Sequence, residues 1–370
     1  MKALIAMSGG VDSSVAALLM RQKGYECIGC TMHLYDNEDA GIPKSHTCCS
    51  LYDVEDARRV AYSLGMDYFV FNFKRDFHHH IIDKFIQSYE RGKTPNPCID
   101  CNRYMKFEKL FERASILRCD YVVTGHYARI ELDSSGKYLL KKGLDETKDQ
   151  SYVLYMLSQD QLANIQFPLG GLKKSQIRQI ASEQGFCNAE KPDSQDICFV
   201  PDGDYAGIIE LHTGKKSVPG DFVDMNGKVI GQHKGIIHYT VGQRRGLGIS
   251  ASEPLYVVRI RPEDNTVVVG HDPDLFCRHV QVEDFHWISG RSPEGEVRCK
   301  AKIRYRSKEQ DAVVYPEEDG TVKIVFDQPQ RAVTPGQAAV LYDGDAVLGG
   351  GTIILVNLLI YLPNSWYNRL

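Results

Sequence analysis

At 370 residues, with 43% apolar and 25% charged side chains, the chain has the make-up of two or three domains with a core each, which excludes disorder as its default state. A net charge of −4 argues against a general polyanion binder but leaves room for a local basic patch. No apolar run approaches the ~20 residues of a membrane span, and no internal repeat or low-complexity segment is present.

The first residues already read as a core strand, so the sequence predicts neither a signal peptide nor a transit peptide. Ala3 to Met7 run without a polar break, as a strand buried on both faces does. Ser8-Gly9-Gly10-Val11-Asp12-Ser13-Ser14 follow, and then the apolar-periodic stretch Val15 to Met20. A strand, a small flexible loop and a helix start aim backbone N–H groups at one point, which favours phosphate. Gly9 and Gly10 permit a tight turn and a close approach by a ligand. No Gly-Lys-Ser/Thr follows, so the loop is not a Walker A sequence. The plain alternative is a strand-to-helix turn capped by Ser or Asp.

Strand and helix then alternate. Tyr25 to Leu34 predicts a second strand, and Ser50 caps a helix through Leu64 that Gly65 stops. Tyr68 to Phe71 is a third strand, and Phe77, Ile81, Ile82, Phe85 and Ile86 mark a helix that Gly92 ends. The loop KTPNPCIDCN leads into a helix with Leu110, Phe111 and Ala114 on its inner face, and Tyr121 to Val123 is a further strand. This order implies an α/β fold with a doubly wound parallel sheet, whose strand ends at Ser8, Met32 and Gly125 share one crevice. Ala128 to Lys142 predicts a hairpin, followed by two helical stretches and the loop KPDSQDICF. Beyond Pro201 the hairpin signals at Asn226-Gly227, Pro262 to Asn265 and Glu317 to Gly320 indicate β structure. The expected domains are 1–200, 201–273 and 274–357, with a tail at 358–370 of unknown role.

Eleven cysteines spread over such a chain point to a reducing, cytoplasmic setting in which some thiols are catalytic or metal-binding. Cys27 and Cys30 lie on a strand, where i and i+3 face opposite ways, so they read as unrelated core thiols. Cys48-Cys49 lack neighbouring partners. Cys98 and Cys101 enter a helix, where they share a face and the helix N-terminus lowers a thiol pKa. Cys198 lies far away in the polar loop after Asp193. Among basic groups, Lys173-Lys174, Arg244-Arg245 and Lys302 to Arg306 are candidates for phosphate contact, with the last group favoured.

SGGVDSS, TPNPCIDCN, TGHYAR, KDQSY, DSQDICF and VGQRRGLG occur in this order from the first strand onward. The loop resembles that of the ATP pyrophosphatases, and the six motifs together resemble the bacterial tRNA-specific 2-thiouridylases over nearly the whole chain, to about Ile354. The resemblance implies an adenine nucleotide α-hydrolase-like domain, a small central domain and a C-terminal, tRNA-binding β-barrel. It implies ATP-dependent 2-thiolation of the wobble uridine of tRNA by adenylation of the C2 oxygen, with AMP and pyrophosphate released. Mg-bound ATP would be held by Ala6, Met7, Ser8, Gly9, Gly10, Val11, Asp12, Ser13, Met32 and Gly125. Cys198 would carry sulfur as a persulfide received from a sulfur-donor protein, and Cys101 would close a disulfide with it. Asn96, Pro97 and Cys98 would line the target-base pocket. His126, Lys148, Asp149, Gln150, Arg304, Tyr305 and Gln337 would contact tRNA.

Two departures from that family stand out. Cys98 occupies a place where members often carry Asp, so an iron–sulfur cluster on Cys98, Cys101 and Cys198 is an alternative route. The chain also continues beyond the GGGTI segment at Gly349 to Ile353. The rival enzyme class is an amide-forming ligase with the same phosphate loop, which needs neither paired cysteines nor an RNA-binding barrel.

Overall fold

The structure, a computed structural model, describes residues 1–36, 51–193, 197–200 and 202–358. Its first part runs β1 (Lys2–Ala6), α1 (Val11–Gln22), β2 (Glu26–His33), α2 (Leu51–Ser63) and β3 (Asp67–Asn72). Next come α3 (Lys74–Phe77), a π-helical turn His78–Ile82 and α4 (Asp83–Glu90), which form one continuous helix. Then α5 (Pro97–Asp100) passes through the π-helical stretch Cys101–Lys109 into α6 (Leu110–Ile116), followed by β4 (Tyr121–Val123). After the hairpin β5 (Ala128–Leu132) and β6 (Tyr138–Lys142) come α7 (Gln159–Ala163), β7 (Ile165–Gln166) and α8 (Lys174–Glu183).

The predicted doubly wound sheet is present, with all strands parallel in the order β3-β2-β1-β4-β7. The chain winds outward from β1 to β3 and then returns to the other side of β1. That reversal puts a crevice above the carboxyl ends of β1 and β4. β1 is buried on both faces: Ala3 and Ile5 pack with α1 and α8, and Leu4 packs with α3, α4 and α6. Cys27 and Cys30 go to these two opposite cores, as strand alternation requires. β7, only two residues long, has too little sequence for a periodic signal and was absent from the sequence-based expectation. Ser50 and Cys48-Cys49 lie outside the described residues.

The central part holds α9 (Tyr205–Thr213), β8 (Gly220–Val223), β9 (Val229–His233), β10 (Tyr256–Arg261) and β11 (Thr266–Gly270), in the sheet order β10-β11-β8-β9. The last part is β12 (Phe276–Trp287), β13 (Val297–Lys302), β14 (Gln310–Pro316), β15 (Val322–Arg331), β16 (Ala338–Asp343) and β17 (Ala346–Leu358). These six close into a barrel through the pairing of β12 with β17, which removes the open edges.

Two placements depart from a linear reading. The β5–β6 hairpin, from the N-terminal half of the sequence, joins the barrel sheet beside β17, with Ala346 opposite Lys141. The backbone past Ile354 begins as more strand, since Val356, Asn357 and Leu358 pair with Val280, His279 and Cys277. The rest of the tail lies outside the described residues.

Candidate active site

The phosphate loop is shaped by its own hydroxyls. Ser13 Oγ and Ser14 Oγ donate to Gly10 O at 3.0 and 3.1 Å, and Ser13 Oγ accepts from Ser8 N at 3.2 Å. The α1 N-cap is Gly10, with no side-chain cap hydrogen bond, so the capping alternative does not describe this turn. The first-turn N–H groups of α1 therefore have no intrahelical partner and point into the crevice. Gly125, after β4, closes on the same turn: a Cβ there would lie 3.0 Å from Ser13 N.

The two glycines have different reasons to be glycine. Gly9 has φ +75°, and a Cβ there would meet the Asp53 backbone oxygen at 2.3 Å, so α2 packs directly on it. Gly10 lies at φ −89° in ordinary extended space, where a Cβ would meet only Ser8 Oγ at 3.6 Å. Packing explains Gly9 and leaves Gly10 open to a ligand. Behind the loop, the buried Asn188 donates from Nδ2 to Gly9 O and Ser14 Oγ, both at 2.9 Å.

Ala6, Met32, Cys101 and Cys198 all pack against one core, built from Leu4, Phe77, Phe85, Phe199 and Val200. Cys198 rides on the buried Phe199, whose ring meets Phe77 and Phe85. Its backbone oxygen accepts from Tyr35 Oη at 2.6 Å, just past β2. The ends of β1 and β2 and the two thiols thus pack against the same core, although Cys101 and Cys198 are far apart in sequence.

Cys98 is exposed in the first turn of α5, where its N–H donates to the Asn96 cap at 3.2 Å. Cys101 lies a turn later, where the π-helical stretch begins. Burial pushes its thiol up to about 11, against a smaller opposing pull from Lys106. The expected lowering by the helix N-terminus is therefore overturned at Cys101, because desolvation outweighs a partial charge one turn away. Among the described residues no three His, Cys, Asp or Glu side chains converge as a metal-holding group. Cys98, Cys101 and Cys198 do not converge in this way, so their arrangement does not fit an iron–sulfur cluster.

The residues assigned to tRNA mostly form internal seams. His126 is 6% exposed, wedged between Phe107 and Phe167, with Thr124 Oγ1 2.7 Å from Nδ1 and Lys106 Nζ 3.3 Å from Nε2. Burial, seconded by Lys106, holds its pKa well below 6.5, so the ring is neutral. Lys148 pairs with Asp193 at 2.8 Å, Asp149 accepts from Gly143 N and Ser151, and Gln150 Oε1 accepts from Tyr127 N. From the barrel, Tyr305 Oη reaches Asp149 O at 3.2 Å, and Arg304 donates to Thr334 Oγ1 and Ala332 O. Gln337 Nε2 donates to Thr94 O at 2.8 Å, two residues before Asn96-Pro97. A cavity of about 260 Å³ lies behind Asn96, between α4 and the barrel, with Lys84 on Asp100 and Arg103 on Asp284.

Sequence reasoning missed Lys106, Asn188, Arg178 and the depth of Lys174. Only the i, i+4 spacing of Lys174 and Arg178 on a helix hinted at a joint role.

The comparisons match the chain in three consecutive parts. The tRNA methyl transferase HUP domain family matches residues 1–202, its PRC-barrel domain 207–271, and the aminomethyltransferase beta-barrel domain 277–353. A tRNA-specific 2-thiouridylase of Thermoanaerobacter sp. strain X514 is 52% identical over 354 residues, covering 95% of this chain and 97% of its own length. The chain belongs to the tRNA-specific 2-thiouridylase family. Another 2-thiouridylase, from Clostridioides difficile, is 49% identical over 353 residues, covering 95% of this chain and 98% of its own. Among the described residues no helix is long and apolar enough to cross a membrane.

Proposed function

We propose that this chain replaces the C2 oxygen of the wobble uridine of tRNA with sulfur, driven by ATP. The observation that carries the reading is the packing of Ala6, Met32, Cys101 and Cys198, from four separate parts of the chain, against one core. The uridine C2 oxygen attacks the α-phosphorus of Mg-bound ATP; an O–P bond forms, the Pα–O bond to the β-phosphate breaks, and pyrophosphate leaves. A donor protein supplies sulfane sulfur to Cys198. The terminal persulfide sulfur attacks C2, and AMP departs as the C2–O bond breaks. The Cys101 sulfur, on losing its proton, attacks Sγ of Cys198, breaks the S–S bond to the product and forms a disulfide. A thiol reductant then reopens that disulfide.

Burial supports this order of events, because it keeps Cys101 protonated in the free chain while Cys198 carries the sulfur. Asn96, Pro97 and Cys98 present the pocket for the splayed base, and uridine leaves its stack at a cost of a few kcal/mol. The barrel residues reach the same segment through Gln337.

Nucleoside analysis of tRNA incubated with the protein, ATP and a persulfide donor checks the reading. Thio-uridine should form together with AMP, and both Cys198→Ser and Cys101→Ser should abolish it. Full thiolation by either variant, or release of ADP, would overturn the assignment.

A further inference from the structure

Lys106 is half-buried and, among the described residues, has no carboxylate partner. Its neighbour on the same helix shows what such lysines ordinarily do: Lys109 reaches Glu112 at 3.1 Å and Asp76 at 3.4 Å. Lys106 Nζ instead stands 3.3 Å from Nε2 of His126. An ammonium group only donates, so Nε2 accepts, and the ring proton sits on Nδ1, facing Thr124 Oγ1 at 2.7 Å. Wedged between Phe107 and Phe167, the neutral ring therefore holds the end of Lys106 in place. A carboxylate there would cancel the charge; imidazole fixes it and leaves it uncompensated.

The helix decides where that charge acts. Cys101–Lys109 is π-helical, and a π-turn closes between residues five apart. Cys101 and Lys106 thus lie on nearly the same side, whereas five residues along an α-helix leave two positions about 140° apart around the axis. Lys106 acts on the Cys101 thiol more strongly than any other charge, and Cys98 and Asp100 act less strongly in the opposite sense. The charged groups of the neighbouring elements have other partners. Lys84 of α4 donates to Asp100 at 2.6 Å, Asp76 of α3 pairs with Lys109, Asp284 of the barrel accepts from Arg103 at 2.8 Å, and His80 stacks on Tyr104. Cys198 packs against the same core as Cys101.

We propose that Lys106 is a positioning residue for the sulfur chemistry, whose His126-held ammonium faces Cys101 and stabilises the thiolate that attacks Cys198. This rests on the reading of Cys101 as the nucleophile that closes the disulfide. Burial keeps Cys101 a thiol at rest, and Lys106 lowers the cost of the negative charge when the proton leaves for water. The π-helical register is what brings the two side chains together, in keeping with the tendency of such turns to gather at functional sites.

Alkylation of Cys101 by iodoacetamide in the full chain tests this, with mass spectrometry of its peptide from about pH 7 to about pH 10. Cys101 is partly exposed, so the reagent reaches it, and the exposed Cys187 serves as internal control. Only the thiolate reacts. Lys106→Met should move the Cys101 profile upward by about one pH unit and slow alkylation about tenfold at a given pH, the low end of the effect of a nearby opposite charge. Lys106→Gln should give the same displacement with a different side-chain shape, Lys106→Arg should recover most of the rate, and Cys187 should not respond. Single-turnover thio-uridine formation by Lys106→Met should fall in the same proportion and recover as pH rises, while a non-hydrolysable ATP analogue binds as before. An unchanged Cys101 profile in the Met and Gln variants overturns the inference. So does an Arg variant as slow as they are, because shape rather than charge would then matter. Weaker binding of the ATP analogue with an unchanged Cys101 profile would assign Lys106 to the nucleotide and overturns it too. Cys101→Ser separates the two levels. If that variant still thiolates tRNA fully, the reading of Cys101 fails; if it is inactive while alkylation and turnover ignore Lys106, only the present inference fails.

Discussion

Replacing Gly9 or Gly10 by alanine adds one methyl group to adjacent residues of the same loop, yet the structure predicts opposite phenotypes. At Gly9 the backbone has φ +75°, which costs an L-residue roughly 1–2 kcal/mol. The new Cβ would also stand 2.3 Å from the Asp53 carbonyl oxygen and 2.8 Å from its Cα and carbonyl carbon. Those are backbone atoms of α2, so relief means moving a helix, and overpacking of this kind adds about 1–3 kcal/mol. The sum, roughly 2–5 kcal/mol, corresponds to a fall of about 4–20 °C in Tm for a domain of some 200 residues. At Gly10 the conformation is ordinary and the nearest contact is Ser8 Oγ at 3.6 Å, so the cost stays near ~1 kcal/mol, the scale of an N-cap change. The Gly10 methyl group instead projects where the phosphate approaches, and KM for ATP should rise by about tenfold or more. Calorimetry and ATP titration of the two variants provide the assay. A Gly9→Ala protein that melts like the parent refutes the packing argument. A Gly10→Ala protein with unchanged KM for ATP refutes the approach of phosphate to that amide.

Two further outcomes follow from the seams. Thr94 is held by Pro335 O through its N–H at 2.9 Å, by Gln337 Nε2 on its carbonyl at 2.8 Å, and by Thr240 of the central domain. Gln337→Ala should therefore lower kcat for thiolation more than it raises KM for tRNA, because the base-pocket segment loses its anchor; a pure KM effect would instead make Gln337 a direct tRNA contact. His126 is buried neutral, with its folded pKa depressed below 6.5, so its contribution to stability is present above about 6.5, the ordinary histidine value, and is lost as pH falls below it. The unfolded chain takes up a proton there that the folded chain refuses. His126→Gln should flatten the decline of Tm between pH 7 and pH 5, measured by scanning calorimetry; a parallel decline in both proteins would refute the assignment.

Local chemistry determined much of this protein in advance. The unbroken run Ala3 to Met7, the Gly-Gly loop and the alternation that follows specify a parallel strand entering a tight glycine turn at a helix start, because each signal lies within a few residues. The turns at Asn226-Gly227 and Pro262 to Asn265 were legible for the same reason: Gly227 and Asn265 both take positive φ. The opposite facing of Cys27 and Cys30 follows from strand alternation alone. What remained was decided by contacts between residues distant in sequence. Lys174 reads as a surface lysine of a helix start until Asp12 and Asp193 close around it. Desolvation raises the Cys101 thiol, although its helix position alone predicts a lowering, and burial depends on the whole core. The β5–β6 hairpin turned as expected, but only the barrel edge at Ala346 determined where it docks. Turns and faces are set by neighbouring residues, whereas burial, ion pairing and strand partners exist only once the chain has folded back on itself.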